Sequence, residues 1–452
     1  MLMNLNRLLK QAKAGFAERS CKILYLYFFS IYVIFVFNEF LAKPVDFYAL
    51  VLIIIGLPLI NRANVKLIFT SIAGSKSAIV ICLSILVISI LFFTATLFQL
   101  PQTNGLIAFF AQYGVHIALP AIVLLVIPLN KESIRFIFNC LLAALIILAL
   151  NDIALYIWQY LNFSKIGEDF SHRWFGDGYV FLYPFLLGHL LNATSEKDNR
   201  NQSQITHGGL YQLMLYLLLI LIIFLAGGTG ARSTYGIILL QITIFFYFKC
   251  RQLGLARASS ILIVITFVYL LVNFILGFLA PKLYSGAIDR GLQIYDRIEH
   301  TWMPGIYFIS KAPLLAYGFG VPAWNEAYAL YSESYPNAIN VGSTHNWFLA
   351  TGFLGGVCAI FAQFMMTAGI IYWSFVGINN KNLEIKSWVW ILLISFISFY
   401  LCKGLVEFTT YKYLSITLMG IFISNAVNHK HLHYKIGSNN EFISSKTKSL
   451  YF

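Results

Sequence analysis

Charged side chains are scarce in this sequence. Only 11% of its 452 residues are Asp, Glu, Lys or Arg, whereas 59% are hydrophobic and 17% are aromatic. Soluble globular domains carry roughly 25% charged residues, so this composition excludes an ordinary water-soluble domain. Apolar runs of about 20 residues, the length that a helix needs to cross a bilayer, recur along the chain. The sequence therefore predicts an all-α polytopic membrane protein.

Cysteine is scarce as well. None of the six Cys forms a Cys-x-x-Cys pair or lies at ligand spacing from a His. This pattern argues against a disulfide framework and against a structural zinc site.

The hydrophobic runs predict about twelve transmembrane helices and one large loop. The predicted spans are 23–42, 45–60, 78–99, 106–129, 134–160, 176–193, 209–227, 233–248, 260–279, 346–375, 388–402 and 413–428. Residues 1–22 then form a cytoplasmic N-terminal segment and 429–452 a cytoplasmic tail. Helices 1–9 occupy 23–279 and helices 10–12 occupy 346–428, with a periplasmic loop at 280–345 between them. Within this loop, 290–312 is a candidate for a helix lying along the membrane surface.

The excess of positive charge indicates an orientation. With the N-terminus inside, cytoplasmic segments hold 21 of the 31 Lys and Arg residues, and periplasmic segments hold the other ten. This asymmetry follows the positive-inside rule, so the formal net charge of +13 needs no nucleic-acid partner. We expect both termini in the cytoplasm. Only Glu39 and Asp152 are expected to be charged groups within spans.

A stretch of small residues at 227–234 precedes the eighth predicted helix and places Arg232 in its first turn. A cation at that helix end is unfavourable, because the helix dipole is already positive there. It becomes favourable if an anion is shared between the guanidinium and the free amides. The alternative is an Arg that reaches to phospholipid headgroups.

The loop between helices 9 and 10 contains a second candidate segment. Arg290 and Arg297 are seven residues apart and would share one face of a helix, with Trp302 following. Gly318 and Gly320 would let backbone amides approach a ligand, although ordinary turn glycines explain them equally well. Ordinary surface ion pairs likewise remain an alternative for the two Arg residues.

The same loop is rich in aromatic side chains. They are Tyr284, Tyr295, Trp302, Tyr307, Tyr317, Trp324, Tyr328, Tyr331 and Tyr335. Such rings offer stacking faces for sugars, or they belong to the aromatic belt of a membrane interface.

The third candidate segment opens the tenth helix. Ser343 or Thr344 is the predicted N-cap, which places His345 in the first turn at the periplasmic boundary. A helix N-terminus favours the neutral imidazole, the form that a general base needs, whereas a nearby anion would oppose it. The alternative is an interfacial His bonded to a loop carbonyl. Gly352 and Gly356 are predicted to let another helix pack closely.

These segments resemble the O-antigen ligase and polymerase superfamily of bacterial envelope enzymes. The resemblance is carried by four motifs and one basic residue: His345-Asn346-x-Phe348-Leu349 with Gly356, Thr229-Gly230-x-Arg232, Arg297 to Trp302 with Gly318-x-Gly320, Arg173-Trp-Phe-Gly176, and Lys43 after the first span. The predicted layout of twelve spans and a late periplasmic loop is also similar.

The resemblance implies an inverting glycosyltransferase of the bacterial inner membrane. It would move a glycan from undecaprenyl diphosphate to lipid A-core on the periplasmic face, with His345 as catalytic base and Asn346, Gly318, Gly320 and Trp302 in supporting roles. Lipid-diphosphate binding would fall to Arg232, Arg297, Arg173, Lys43 and Arg290, with either Arg297 or Arg290 as the key loop arginine. The periplasmic segments contain no Asp-x-Asp, so we expect no metal and no cofactor. Membrane lipids are the other expected partners.

Two other acceptors and one other class stay open. A polymerase would use another lipid-linked glycan as acceptor, and a protein O-oligosaccharyltransferase would use Ser or Thr. The modest length and the lack of an added periplasmic domain favour the ligase. A transporter would instead have basic residues along a path within the spans, and related halves.

Overall fold

The fold is all-α in the part of the chain that a computed structural model describes. Those residues are 92% helical and include no strand. They comprise 18–31, 45–73, 75–98, 103–127, 131–163, 172–195, 205–228, 232–252, 298–314, 316–319, 321–336, 340, 342, 344–378 and 383–405. The long apolar helices of this part of the chain are those of an all-α membrane protein, as predicted.

Fourteen helices occur in the described residues. In chain order they are α1 (18–31), α2 (Val45–Gly56), α3 (Arg62–Ala73), α4 (Lys76–Phe98), α5 (Thr103–Ala108), α6 (Val115–Val126), α7 (Lys131–Phe163), α8 (His172–Ser195), α9 (Ile205–Gly228), α10 (Arg232–Gln252), α11 (Met303–Lys311), α12 (Val321–Ser334), α13 (Trp347–Ile378) and α14 (Leu383–Ser395). Three π-helical segments adjoin these helices in the described residues: Phe109–Gly114 before α6, Ile298–Trp302 before α11 and Phe396–Lys403 after α14.

Four helices are long and apolar enough to cross a bilayer in the described part of the chain. They are Lys76–Phe98, Gly105–Val126, Arg135–Trp158 and Trp347–Ser374. Shorter apolar helices at Leu210–Ala226, Gly236–Tyr247 and Val389–Lys403 coincide with the seventh, eighth and eleventh predicted spans. The predicted spans 260–279 and 413–428 lie outside the described residues. The count of twelve stays a prediction.

α2 and α3 meet at a sharp bend. The segments Phe47–Leu59 and Arg62–Thr70 are inclined by 100°, which makes them one broken span or a re-entrant pair. Asn64 stabilises the bend, because its Nδ2 donates to the carbonyl oxygens of Leu125 at 3.3 Å and Ile127 at 2.5 Å. The amide thus binds carbonyls at the end of α6 that have no partner within their own helix.

α8 lies at the centre of the larger core, and its residues 179–187 are almost fully buried. Pro184 lacks the N–H that would bond to the carbonyl of Val180 one turn earlier. Gln241 Nε2 of α10 donates to that carbonyl oxygen at 2.7 Å, and to Ser398 Oγ at 2.6 Å. A side chain of one helix therefore satisfies the backbone of another and ties α8 to α10 and to the segment after α14.

The described part of the loop before α13 is largely helical. Residues 298–311 of the predicted surface helix are helical, and 290–297 lie outside the described residues. The sequence did not predict α12. A second hydrophobic core packs α11 and α12 against α4 and α13. It includes Phe92 of α4, Phe308 of α11, Trp324 of α12 and Phe353 of α13. The loop is thus packed against helices that are long enough to span the bilayer.

Candidate functional site

Asn346 is the N-cap of α13. Its Oδ1 accepts the N–H of Phe348 at 2.9 Å and of Leu349 at 3.2 Å, so it binds two amides that have no partner within the helix. The prediction that Thr344 or Ser343 caps this helix and that His345 lies in its first turn is wrong. Helix α13 begins at Trp347, because the Asn346 side chain has the reach to bond the N2 and N3 amides.

His345 instead lies in a constrained turn directly before the cap. Its φ is +44°, in the left-handed region that a side chain with Cβ rarely adopts. Thr344 stabilises the turn by donating from Oγ1 to the carbonyl oxygen of Asn346 at 2.9 Å. A non-glycine residue keeps such a conformation only when its surroundings determine it. The turn therefore fixes the backbone from which the half-buried imidazole projects.

The His345 turn is bonded to the segment that follows α14. The N–H of Trp347 donates to the carbonyl oxygen of Gly404 at 2.6 Å. Asn346 Nδ2 donates to the carbonyl oxygen of Leu405 at 3.3 Å. The two carbonyls come directly after Lys403, so the position of the turn depends on where this part of the chain is held.

Lys403 forms a buried ion pair with Asp177. The two residues are 1% and 7% exposed, and Nζ bonds to Asp177 Oδ1. Nζ also donates to Thr234 Oγ1 at 3.2 Å, and Thr234 is fully buried. Charges are enclosed in this way only when they are paired and hydrogen-bonded. The sequence did not predict that this pair is enclosed. That Glu39 and Asp152 are the charged groups within spans stays a prediction, and Glu39 lies outside the described residues.

Lys403 thus brings together the beginnings of α8 and α10. A Cβ on Gly176 would lie 2.6 Å from Thr234 Oγ1, so the two helices approach closely where they start. Arg173 is the second residue of α8, four before Asp177, and Arg232 is the first residue of α10, two before Thr234. The structure therefore brings the segments that carry both Arg residues to the segment that holds the His345 turn.

The loop segment after Arg297 reaches the same turn. A Cβ on Gly305 of α11 would lie 2.9 Å from Thr344 Cγ2, directly before His345. Trp302 ends the π-helical segment that leads into α11, and its indole Nε1 is buried with no hydrogen-bond partner in the described part of the chain. The remaining predicted site residues, Lys43, Arg290, Arg297 and Gly320, lie outside the described residues.

α13 is broken at Gly356 by a loop segment. In a continuous helix the N–H of Val357 would bond to the carbonyl of Phe353. Here Val357 N–H donates to Pro313 O at 2.9 Å, and Phe353 O accepts from Tyr317 N–H at 2.9 Å. Gly356 has φ +78° and ψ −174°, and a Cβ there would lie 2.5 Å from Pro313 O. Pro313 and Tyr317 thus take the two partners of one hydrogen bond of the helix, so the loop is inserted between them.

The glycines near this break have structural roles. Gly318 has φ +69°, and a Cβ there would lie 2.6 Å from the backbone of Thr96 on α4. Gly318 thus lies close to the backbone of a helix. This contact favours the interpretation of Gly318 as a turn glycine over that of a residue that lets amides approach a ligand. A Cβ on Gly352 would lie 2.5 Å from Ile309 Cδ1 on α11. Gly352 is therefore a small residue at a helix contact, as predicted. Gly356 lies at the break instead, where it contacts the loop.

Three of the seven described aromatic residues named for the loop are buried. Trp324, Tyr328 and Tyr331 are only 5–6% exposed. Burial raises the pKa of the Tyr328 and Tyr331 phenols. Tyr335 is half exposed and stacks on Tyr331 with 4.6 Å between ring centroids. The three buried rings are therefore part of a core, whereas Tyr335 and the partly buried rings keep surface that a sugar could stack on.

Sequence reasoning missed Lys403 and Asp177. Neither is among the candidate site residues that the sequence indicates. One signal was present: Lys403 directly follows the apolar run 388–402, where a charge needs either solvent or a partner. Its partner is more than two hundred positions earlier and could not be read from local pattern.

No known protein family and no curated protein sequence matches this chain. In the described part of the chain, no three His, Cys, Asp or Glu side chains are grouped so that they could hold a metal ion. That the chain needs no metal stays a prediction. The structure adds an all-α membrane protein in which one segment, 403–405, contacts both the His345 turn and the starts of α8 and α10.

Proposed function

We propose that this protein is an inverting glycosyltransferase of the O-antigen ligase type. It moves a glycan from undecaprenyl diphosphate to lipid A-core on the periplasmic face of the bacterial inner membrane. One observation carries the proposal. The His345 turn is bonded to Gly404 and Leu405, next to the Lys403 that joins the starts of the helices bearing Arg173 and Arg232.

The chemistry requires a base and a stabilised leaving group. An imidazole nitrogen of His345 accepts the proton of an acceptor hydroxyl, whose oxygen attacks the anomeric carbon from the face opposite the diphosphate. The bond between that carbon and the diphosphate oxygen breaks, and negative charge develops on the leaving group. Arg232, Arg173 and Arg297, with Lys43 and Arg290, would stabilise this charge through guanidinium and ammonium groups.

The acceptor can be assigned by the phenotype of a deletion. Loss of a ligase leaves long polymer on the carrier lipid, whereas loss of a polymerase leaves core carrying a single repeat. A protein O-oligosaccharyltransferase would leave lipopolysaccharide unchanged and proteins without glycan. We propose the first of these outcomes.

Transport of a lipid-linked or anionic substrate is the second candidate. The buried Asp177–Lys403 pair favours it, because enclosed charges often mark a transport path. Reconstituted protein that moves a labelled lipid diphosphate between leaflets without forming a glycosidic bond would support transport over transfer.

The decisive test is transfer in vitro. Purified protein is given a lipid-linked glycan and each candidate acceptor, with and without EDTA. We expect transfer that EDTA does not reduce, and loss of transfer in His345→Ala and Arg232→Ala. His189→Ala and Arg135→Ala, which change a His near the opposite end of α8 and an exposed Arg of α7, serve as controls. Normal transfer by His345→Ala would remove the base from the proposal.

A further inference from the structure

The Lys403–Asp177 pair has the geometry of a positioning device. Lys403 ends the π-helical segment 396–403, and its Nζ contacts residues from the first two turns of α8 and the first turn of α10. At 1% exposure Lys403 is closed off from any substrate. Its main route to a reaction is therefore through the groups whose positions it fixes.

Those groups are on the next residues of the chain. The carbonyls of Gly404 and Leu405 accept hydrogen bonds from Trp347 N–H and Asn346 Nδ2. Displacement of Lys403 moves both carbonyls, because they are one and two residues away. The turn that carries His345 at φ +44° depends on such outside contacts to keep its conformation.

We propose that Lys403 and Asp177 are positioning residues that fix the His345 turn relative to the starts of α8 and α10. This inference rests on the proposed transfer function for its catalytic consequence, but the positioning itself does not. The contact between Gly176 and Thr234 joins α8 and α10 independently of the pair. Loss of the pair therefore moves the base more than it moves the helix starts that carry Arg173 and Arg232.

The test replaces the pair by apolar side chains of similar size, in Lys403→Met with Asp177→Leu. Buried ion pairs replaced in this way often leave stability unchanged, so positioning is separated from folding. A milder variant, Thr234→Val, keeps the ion pair and removes only the bond from Nζ to Oγ1. Asp152→Asn is the matched control, since Asp152 is also buried and accepts from Tyr179 of α8 at 2.6 Å, but it does not adjoin the turn.

Amide hydrogen exchange of the peptide 344–350 is measured on the full-length protein in nanodiscs. We expect exchange to rise about tenfold or more in the double variant and severalfold in Thr234→Val, with no change in Asp152→Asn. In the transfer assay, kcat should fall about 100-fold in the double variant, because a small displacement of a base is costly, while KM for the lipid-linked donor changes little.

The outcomes separate the two proposals. Unchanged exchange at 344–350 in a folded double variant overturns the positioning role, as does an equal rise in Asp152→Asn. A donor KM that rises as much as kcat falls also overturns it, since the pair would then serve donor binding. If the wild-type protein shows no transfer, the proposed function fails, while the exchange measurement still decides whether Lys403 positions the turn.

Discussion

Replacement of Gly356 by Ala tests the inserted segment directly. At φ +78° and ψ −174° the backbone is in a region reserved almost entirely for glycine, where another residue costs about 1–3 kcal/mol. The new Cβ would also lie 2.5 Å from Pro313 O, a backbone atom that cannot rotate away. Overpacking of this kind adds about 1–3 kcal/mol. We expect Gly356→Ala to lower the free energy of unfolding by about 2–6 kcal/mol in total.

Two other glycines provide matched controls. Gly342 also has positive φ, at +76°, but a Cβ there would meet no atom within 4 Å, so Gly342→Ala carries only the backbone cost of about 1–2 kcal/mol. Gly236, within helix α10, has nothing within 4 Å and no positive φ. Gly236→Ala should stabilise the protein by about 0.5–1 kcal/mol, because alanine loses less entropy in a helix.

The measurement is thermal unfolding in nanodiscs, combined with hydrogen exchange of the peptide 313–319. If Gly356→Ala straightens α13, Val357 N–H returns to Phe353 O and the inserted segment loses its two bonds. Exchange in 313–319 should then rise, and transfer should fall because the start of α13 carries the His345 turn. Gly356→Ala with a midpoint equal to that of Gly236→Ala and unchanged exchange would refute the account of the break.

Two further predictions concern hydrogen bonds. Asn346→Ala should destabilise α13 by about 1 kcal/mol through loss of the cap, whereas Asn346→Asp keeps the cap and loses only the donor to Leu405; equal midpoints for the two variants in thermal unfolding would contradict this. Gln241→Leu should cost about 1 kcal/mol because it leaves the carbonyl of Val180 without a partner. That cost should shrink in a Pro184→Ala background, where the N–H of residue 184 can donate to the Val180 carbonyl instead of Gln241. A double-mutant cycle by thermal unfolding measures the coupling.

Hydropathy predicted the long helices well, because a bilayer imposes one strong requirement that local sequence must meet. The predicted spans 78–99 and 134–160 coincide closely with α4 and α7. The start of α13 was predicted less accurately. Ser, Thr and Asn are all good N-caps, and three of them stand at 343, 344 and 346, so local preference could not choose between them.

The remaining features depend on contacts between distant segments. Gly356 has the spacing of a helix-packing glycine, and only the hydrogen bonds from Pro313 and Tyr317 turn that position into a break. Similarly, Lys403 and Asp177 each stand near the end of an apolar run, where solvent exposure is the usual interpretation. Their pairing follows from how α8 packs against the segment after α14, which no local pattern encodes.

The short α2 has a consequence for the surrounding lipid. With the 3-10 turn that follows it, α2 rises about 24 Å, whereas the hydrocarbon core of a bilayer is about 30 Å thick. α3 adds little height, since it departs at 100°. As a broken span, this pair requires the lipids against its face to thin by about 6 Å, at a fraction of a kcal/mol per Å of mismatch. The protein would therefore gather short-chain phospholipids around α2 and fit a thin bilayer better than a thick one.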